Sequence, residues 1–148
     1  MPGRATRYHE AGHATAGLAN GHIVERITIH GDDDASDGGA VDFAPGKTTR
    51  GKNRVVKLAG PLAEAWSMGK DLDLREAEMR DIRNRIIKDE TDDDLDDGPW
   101  ISMSIALADT AGLLFRHWPA VVRIAEALPE RGTLSGARAK ELFDGTEG

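Results

Sequence analysis

The sequence predicts an α+β fold: a single, mainly α-helical domain over residues 1–148 with a small antiparallel β-hairpin or sheet. Three observations lead there. Apolar residues recur at three- and four-residue steps through most of the chain, the mark of helices with one buried face. Strand-like alternation is confined to two short stretches in the first third. A chain of 148 residues can also bury one sizeable core but hardly two.

The elements follow in order. Arg4 to Arg7 lead into Tyr8, and Ala14, Ala16, Leu18 and Ala19 continue one helix that stops near Asn20-Gly21. Ile23 to Ile29 is β-branched and alternating, hence a strand. Gly31 to Gly39, with Asp32, Asp33, Asp34 and Asp37, is a polar turn region, and Gly39 to Phe43 is the returning strand that Pro45-Gly46 ends. Val55, Leu58, Ala59, Leu62, Ala63 and Trp66 define an amphipathic helix from about Thr48 to Ser67, in which Pro61 should produce a kink or mark a join. A third helix is expected from Asp73 to Lys88 on Leu74, Ala77, Ile82 and Ile86, followed by a loop in the acidic run Asp89 to Asp97. Helix resumes near Trp100 and runs to His117-Trp118. Pro119 then sits at a helix start or break, and Val121, Val122, Ile124, Ala125 and Leu128 extend the apolar stripe. Gly132-Thr133-Leu134-Ser135 reads as a turn into a last helix ending near Phe143, with Ser135 as its N-cap.

Composition narrows the chemistry. With 19 Lys+Arg against 26 Asp+Glu the formal charge is −7, which argues against nucleic acid as a main partner. There is no cysteine, so any bound metal must be held by His and carboxylate. The same absence fits a cytoplasmic protein. No run approaches the ~20 apolar residues of a membrane span, and the N-terminus lacks a signal-peptide core.

The residues that carry chemistry are His9-Glu10-Ala11-Gly12-His13, an H-E-x-x-H pattern on a predicted helix of the zincin type. Four-residue spacing puts two imidazoles on one helical face, where they can share a Zn²⁺ ion while Glu10 stands at the rim as general base. Gly12 costs up to ~1 kcal/mol in mid-helix, so a second element should pack against its backbone. A third ligand must come from elsewhere. The acidic run mimics a calcium loop at Asp92, Asp94 and Asp96, but Asp97 stands where Gly is needed and Met103 where a bidentate Glu belongs, so it reads as solvated charge. Asp71 and Asp73 are better placed, and Asp73 in the first turn of the third helix is favoured by the helix dipole.

Tyr8-His9-Glu10-Ala11-Gly12-His13-Ala14, the Gly39-Ala40-Val41 return strand, Leu58-Ala59-Gly60-Pro61-Leu62-Ala63-Glu64 and Asp73-Leu74-Arg75-Glu76-Ala77 together resemble, in wording and order, the peptidase domain of the FtsH family of ATP-dependent zinc metalloproteases. The resemblance is good from about residue 4 to 90. His117-Trp118-Pro119-Ala120-Val121 and Gly132 to Gly136 further resemble small stand-alone FtsH-like peptidases. It implies His9, His13 and Asp73 as zinc ligands and Glu10 as general base. Glu64 is either a carboxylate supporting the site or a helix-surface charge. Gly69-Lys70-Asp71-Leu72 departs from the family pattern ahead of the ligand Asp, which keeps Asp71 as the rival third ligand. The implied function is hydrolysis of peptide bonds, with an extended substrate held along the strand edge at Gly39, Ala40 and Val41. The sequence holds no Walker motif, so flexible or unfolded polypeptide is the expected substrate. The rival class is a non-catalytic zinc protein docking to a larger partner, its metal closed off by a fourth ligand such as His22, His30 or Asp71.

Overall fold

The computed structural model describes residues 3–31, 38–46, 50–72, 80, 84 and 103–145. Over these the chain is mostly helical around one small antiparallel sheet, the α+β class that periodicity predicts. Helix α1 spans Arg4–Ala19 and ends at Asn20, whose Nδ2 donates to the Ala16 carbonyl (3.0 Å) while the His22 N–H closes onto the Gly17 carbonyl (2.9 Å). These bonds satisfy carbonyls that the helix end would leave orphaned, which is why Asn-Gly stops it here.

Strands β1 (Val24–Ile29) and β2 (Gly39–Phe43) form the expected antiparallel pair, with Ile29 opposite Gly39 and Val24 opposite Phe43. Between Val24 and Arg26 the register shifts. Ile27 and Ile29 point into the core with Thr28 less buried between them, the alternation of a one-faced sheet, while at the shift Glu25 and Arg26 are both exposed. The predicted turn at Gly132 to Ser135 is instead a third strand, β3 (Gly132–Ser135), antiparallel to β1 with Ile27 opposite Leu134. Local sequence gave it turn character through Gly132 and Ser135. The free edge of β1 offers unpaired backbone groups, and pairing them outweighs that propensity. The sheet order is β2-β1-β3, which leaves β2 at an edge.

Helix α2 runs from Arg50 to Ser67 with Pro61 inside it, so the proline marks no join. Pro61 cannot donate to the carbonyl of Lys57, a loss offset by burial of Leu58, Ala59, Leu62 and Ala63 around it. The expected helix from Asp73 to Lys88 lies outside the described residues apart from Arg80 and Asn84, both helical; the acidic run lies outside them altogether. Helix α3 (Met103–Arg116) is separated at His117 from α4 (Trp118–Ala127), so Pro119 sits in the first turn of a new helix, where its missing N–H is harmless. Helix α5 (Gly136–Asp144) is capped as predicted by Ser135, whose hydroxyl accepts the Arg138 N–H at 3.1 Å.

Helix α1 is central, touching α2, α3, α4, α5 and both β1 and β2. Its Ala11 and Ala14 are fully buried, as are Ala59 and Ala63 on α2, and such small residues let the two helices approach closely. Beside this seam, Tyr8 stacks on Trp118 (5.8 Å between centroids) and Trp118 meets Trp66 edge-on (5.7 Å), bracing the junction of α1, α2 and α4 next to His9. Among the described residues no helix is long and apolar enough to cross a membrane.

Candidate metal centre

Side chains at His9 and His13 leave α1 one turn apart, and their rings meet nearly edge-to-face with centroids 4.7 Å apart. Each ring is tied down at Nδ1. His9 Nδ1–H donates to Glu64 Oε1 at 2.8 Å, and His13 Nδ1–H donates to the Val56 carbonyl at 2.7 Å. A carbonyl oxygen can only accept, so the proton of a neutral His13 ring is on Nδ1 and its Nε2 carries a lone pair. The Glu64 carboxylate imposes the same tautomer on His9. The two Nε2 atoms lie 3.1 Å apart. Two bare lone pairs at that distance repel, so either a proton carried by one ring or a metal ion bound by both belongs between them. Ligands about 2.0–2.1 Å from a tetrahedral zinc are separated by roughly 3.3 Å, close to what is seen. Burial, with a smaller contribution from His9, lowers the His13 pKa to about 3, so that ring stays neutral and able to ligate.

Glu10 projects from the same helix and is buried, only 5% exposed. Burial raises its pKa above the ordinary carboxylate value, and nearby His9 and His30 oppose the shift. Its Oε2 has no hydrogen-bond partner in the protein. A buried acceptor without a protein donor needs one from elsewhere, and a water held beside the imidazole pair would supply it. His9, Glu10 and His13 are the one group of metal-binding side chains that converges among the described residues, their ligand atoms lying within 4.8 Å of one another. With two imidazoles and no thiolate this donor set suits zinc.

Two glycines make the arrangement possible. A Cβ on Gly12 would strike the Ala59 carbonyl and approach Ala63 Cβ to 2.6 Å, so α2 packs directly on the α1 backbone between the ligands, as its mid-helix position predicts. Gly60 of α2 lies against the His13 ring, and a Cβ there would strike it. The obstacle at Gly12 is backbone, which cannot swing away. Gly12→Ala should therefore lower the melting temperature, although Ala is worth up to ~1 kcal/mol over Gly in helix propensity, because overpacking a tight contact costs about 1–3 kcal/mol. Thermal denaturation decides the sign; a more stable variant would mean the two helices are not in close contact.

The other predicted site residues fall as follows. Glu64 is in the site, holding His9. Asp71 is exposed, accepts the Trp66 Nε1–H at 2.7 Å, and is not part of the converging group. Asp73 lies outside the described residues. His22 packs against Phe43 with centroids 5.8 Å apart and, like His30, does not join the group. Gly39 lies against Glu10: a Cβ there would approach Glu10 Cγ to 3.0 Å and the Thr28 carbonyl to 2.6 Å, so the start of β2 passes beside the Glu10 side chain. Ala40 and Val41 follow on the same edge strand. The Val56 carbonyl escapes sequence reasoning, because every residue has one. The only hint is Pro61, which disturbs the hydrogen bonding of α2 at the adjacent residue, Lys57. No protein-family model matches the chain, and no curated protein matches it.

Proposed function

We propose that this chain is a zinc-dependent metallopeptidase of the FtsH-like type that hydrolyses peptide bonds in flexible or unfolded polypeptide. The observation that carries this reading is the pair of Nε2 atoms 3.1 Å apart, both Nδ1 atoms engaged elsewhere, beside a buried Glu10 oxygen that lacks a protein partner. His9 and His13 would hold the ion together with Asp73, with Asp71 as rival. When bound, zinc supplies Lewis acidity, acidifying water and polarising the scissile carbonyl. Glu10 takes a proton from the attacking water as the new C–O bond forms, and delivers it to the amide nitrogen as the C–N bond breaks. Its raised pKa suits both halves of that task, because a more basic carboxylate accepts the proton more readily and can still release it. The edge of β2, which begins beside the Glu10 side chain, offers main-chain groups to an extended peptide.

The non-catalytic alternative requires a protein group that closes the metal site. His22, His30 and Asp71 all stand outside the converging group, which favours a site left open to water. The reading places the protein in the cytoplasm, acting on segments already flexible or presented by a larger partner. The test pairs zinc analysis with digestion of a chemically unfolded protein, with and without chelator. About one zinc per chain and chelator-sensitive cleavage are expected. A fully zinc-loaded protein that cuts nothing across a broad peptide library near neutral pH would transfer the case to the interaction protein.

A second expectation concerns the third ligand. Asp73→Ala should weaken zinc binding, Asp94→Ala should leave it unchanged, and Asp71→Asn should fall between them, as read by competition with a chromogenic chelator. The reverse ranking, with Asp94 critical and Asp73 dispensable, would place the third ligand in the acidic run.

A further inference from the structure

The outward side of α3 differs from that of a solvated helix. Ala106, Thr110, Leu113 and Leu114 are buried and hold the helix against α1 and α2. On the opposite side Ala108, Asp109, Gly112, Phe115 and Arg116 are all exposed, and Phe115 keeps 78% of its surface in water. At 3.6 residues per turn Gly112 lies in the middle of this face, with Ala108 and Phe115 roughly 40–60° to one side of it and Asp109 and Arg116 as far to the other. The fold of one chain gives no reason for a glycine there. Glycine is the poorest helix former after proline, and whereas Gly12 is required by the backbone of α2, a Cβ on Gly112 would meet nothing within 4 Å. Gly112 instead lines an open groove with Asn20 at the end of α1 and Val55 of α2. A second helix can pack on such a face, because the missing side chain lets two backbones approach and the phenyl ring beside it supplies apolar surface.

The charges identify the partner helix. Asp109 stands three residues before Gly112 and Arg116 four residues after it. When two copies of α3 cross antiparallel about a two-fold axis at Gly112, each Asp109 comes opposite Arg116 of the other copy, and each Phe115 opposite Ala108 of the other copy. A parallel crossing would set Asp109 against Asp109. The face is therefore complementary to itself in one orientation. We propose that this chain forms a homodimer through α3, with two copies crossing antiparallel at Gly112, Phe115 of each packed on Ala108 and Gly112 of the other, and Asp109 paired with Arg116 across the axis. The proposal is independent of the peptidase reading. Exposed ion pairs contribute little affinity, so the two pairs set the orientation while the buried phenyl rings supply most of the attraction. The net charge of −7 on each copy opposes association at long range. One pair of helices buries an area at the small end of specific interfaces, so the dimer is weak, with Kd on the order of micromolar.

Sedimentation velocity of the zinc-loaded full chain, from low micromolar to near-millimolar concentration, should show a monomer–dimer equilibrium. Phe115→Ser should raise Kd roughly tenfold or more. Gly112→Gln should do the same, while its melting temperature at a concentration where both proteins are monomers is not lowered, since the new side chain enters open space. Reversing one charge, by Asp109→Arg or Arg116→Asp, should also weaken the dimer, and combining the two should restore it. Neither misfolding nor a change in net charge produces that rescue, because the double variant keeps the charge of −7. A wild type that sediments as a monomer throughout overturns the proposal, as does a dimer indifferent to Phe115→Ser and Gly112→Gln. Failure of the double exchange to repair the single reversals also overturns it, since the two charges would then not face each other.

Discussion

Glu10→Gln should abolish peptide hydrolysis while leaving the protein folded and loaded with zinc. Loss of a general base typically costs ~10²–10⁴ in rate, about 3–5 kcal/mol of transition-state stabilisation, which puts residual turnover near or below ordinary detection. The two imidazoles supply the nitrogen ligands and are held by hydrogen bonds to Glu64 and the Val56 carbonyl rather than by Glu10, so metal content should hold. The stability change has a definite sign. Glu10 is buried and its pKa is raised, so the folded state disfavours the ionised carboxyl relative to the unfolded chain, a cost that is present above the ordinary carboxylate pKa. A neutral amide of the same shape removes that cost. Metal-free Glu10→Gln should therefore melt at or above the temperature of metal-free wild type, a local exchange of stability for activity. Zinc-loaded Glu10→Gln that still cleaves an unfolded protein at the wild-type rate would remove the carboxylate from the mechanism. Folded substrates should resist the wild type in the same assay, because a peptide must lie extended along β2 to reach Glu10.

How much of this was legible in the sequence depends on how far apart the cooperating residues lie. His9, Glu10 and His13 share one helix, so three-dimensional proximity follows from helix geometry alone and spacing was enough. Gly12 was legible as an anomaly, since its cost in mid-helix demands a neighbour, and Ala59 and Ala63 are that neighbour. Glu64 stands 55 residues from His9, and only family resemblance singled it out from the many surface carboxylates. The Val56 carbonyl carries no side-chain signal at all. Strand β3 was misread because the turn formers Gly132 and Ser135 bound it and its partner, β1, lies about a hundred residues earlier; a strand specified by long-range pairing leaves little trace in local pattern. Conversely, Pro61 is a strong local signal that the packing of α2 overrides.

The loss of a ligand is the other change expected to have a large effect. His13→Ala should remove zinc and, with it, the part of the stability that zinc confers. A metal that binds only the folded chain stabilises it by RT ln(1 + [Zn]/Kd), about 2.7 kcal/mol at a hundredfold excess over Kd and about 4.1 at a thousandfold. In wild type, chelator should therefore lower the melting temperature and added zinc restore it. In His13→Ala both manipulations should do nothing. That null response separates ligand loss from the packing defect the substitution also creates, where Gly60 loses the ring lying against it and the Val56 carbonyl loses its donor. Glu64→Gln provides the graded control. It leaves both imidazoles in place but replaces the anionic acceptor that orients His9, a change that typically weakens metal binding 10–100-fold. Its melting temperature should still respond to zinc, at higher concentrations than wild type requires. Full zinc occupancy and an undiminished zinc-dependent rise in melting temperature for His13→Ala would show that the ion, if bound, is held elsewhere, and that the 3.1 Å approach of the two Nε2 atoms is not a metal site.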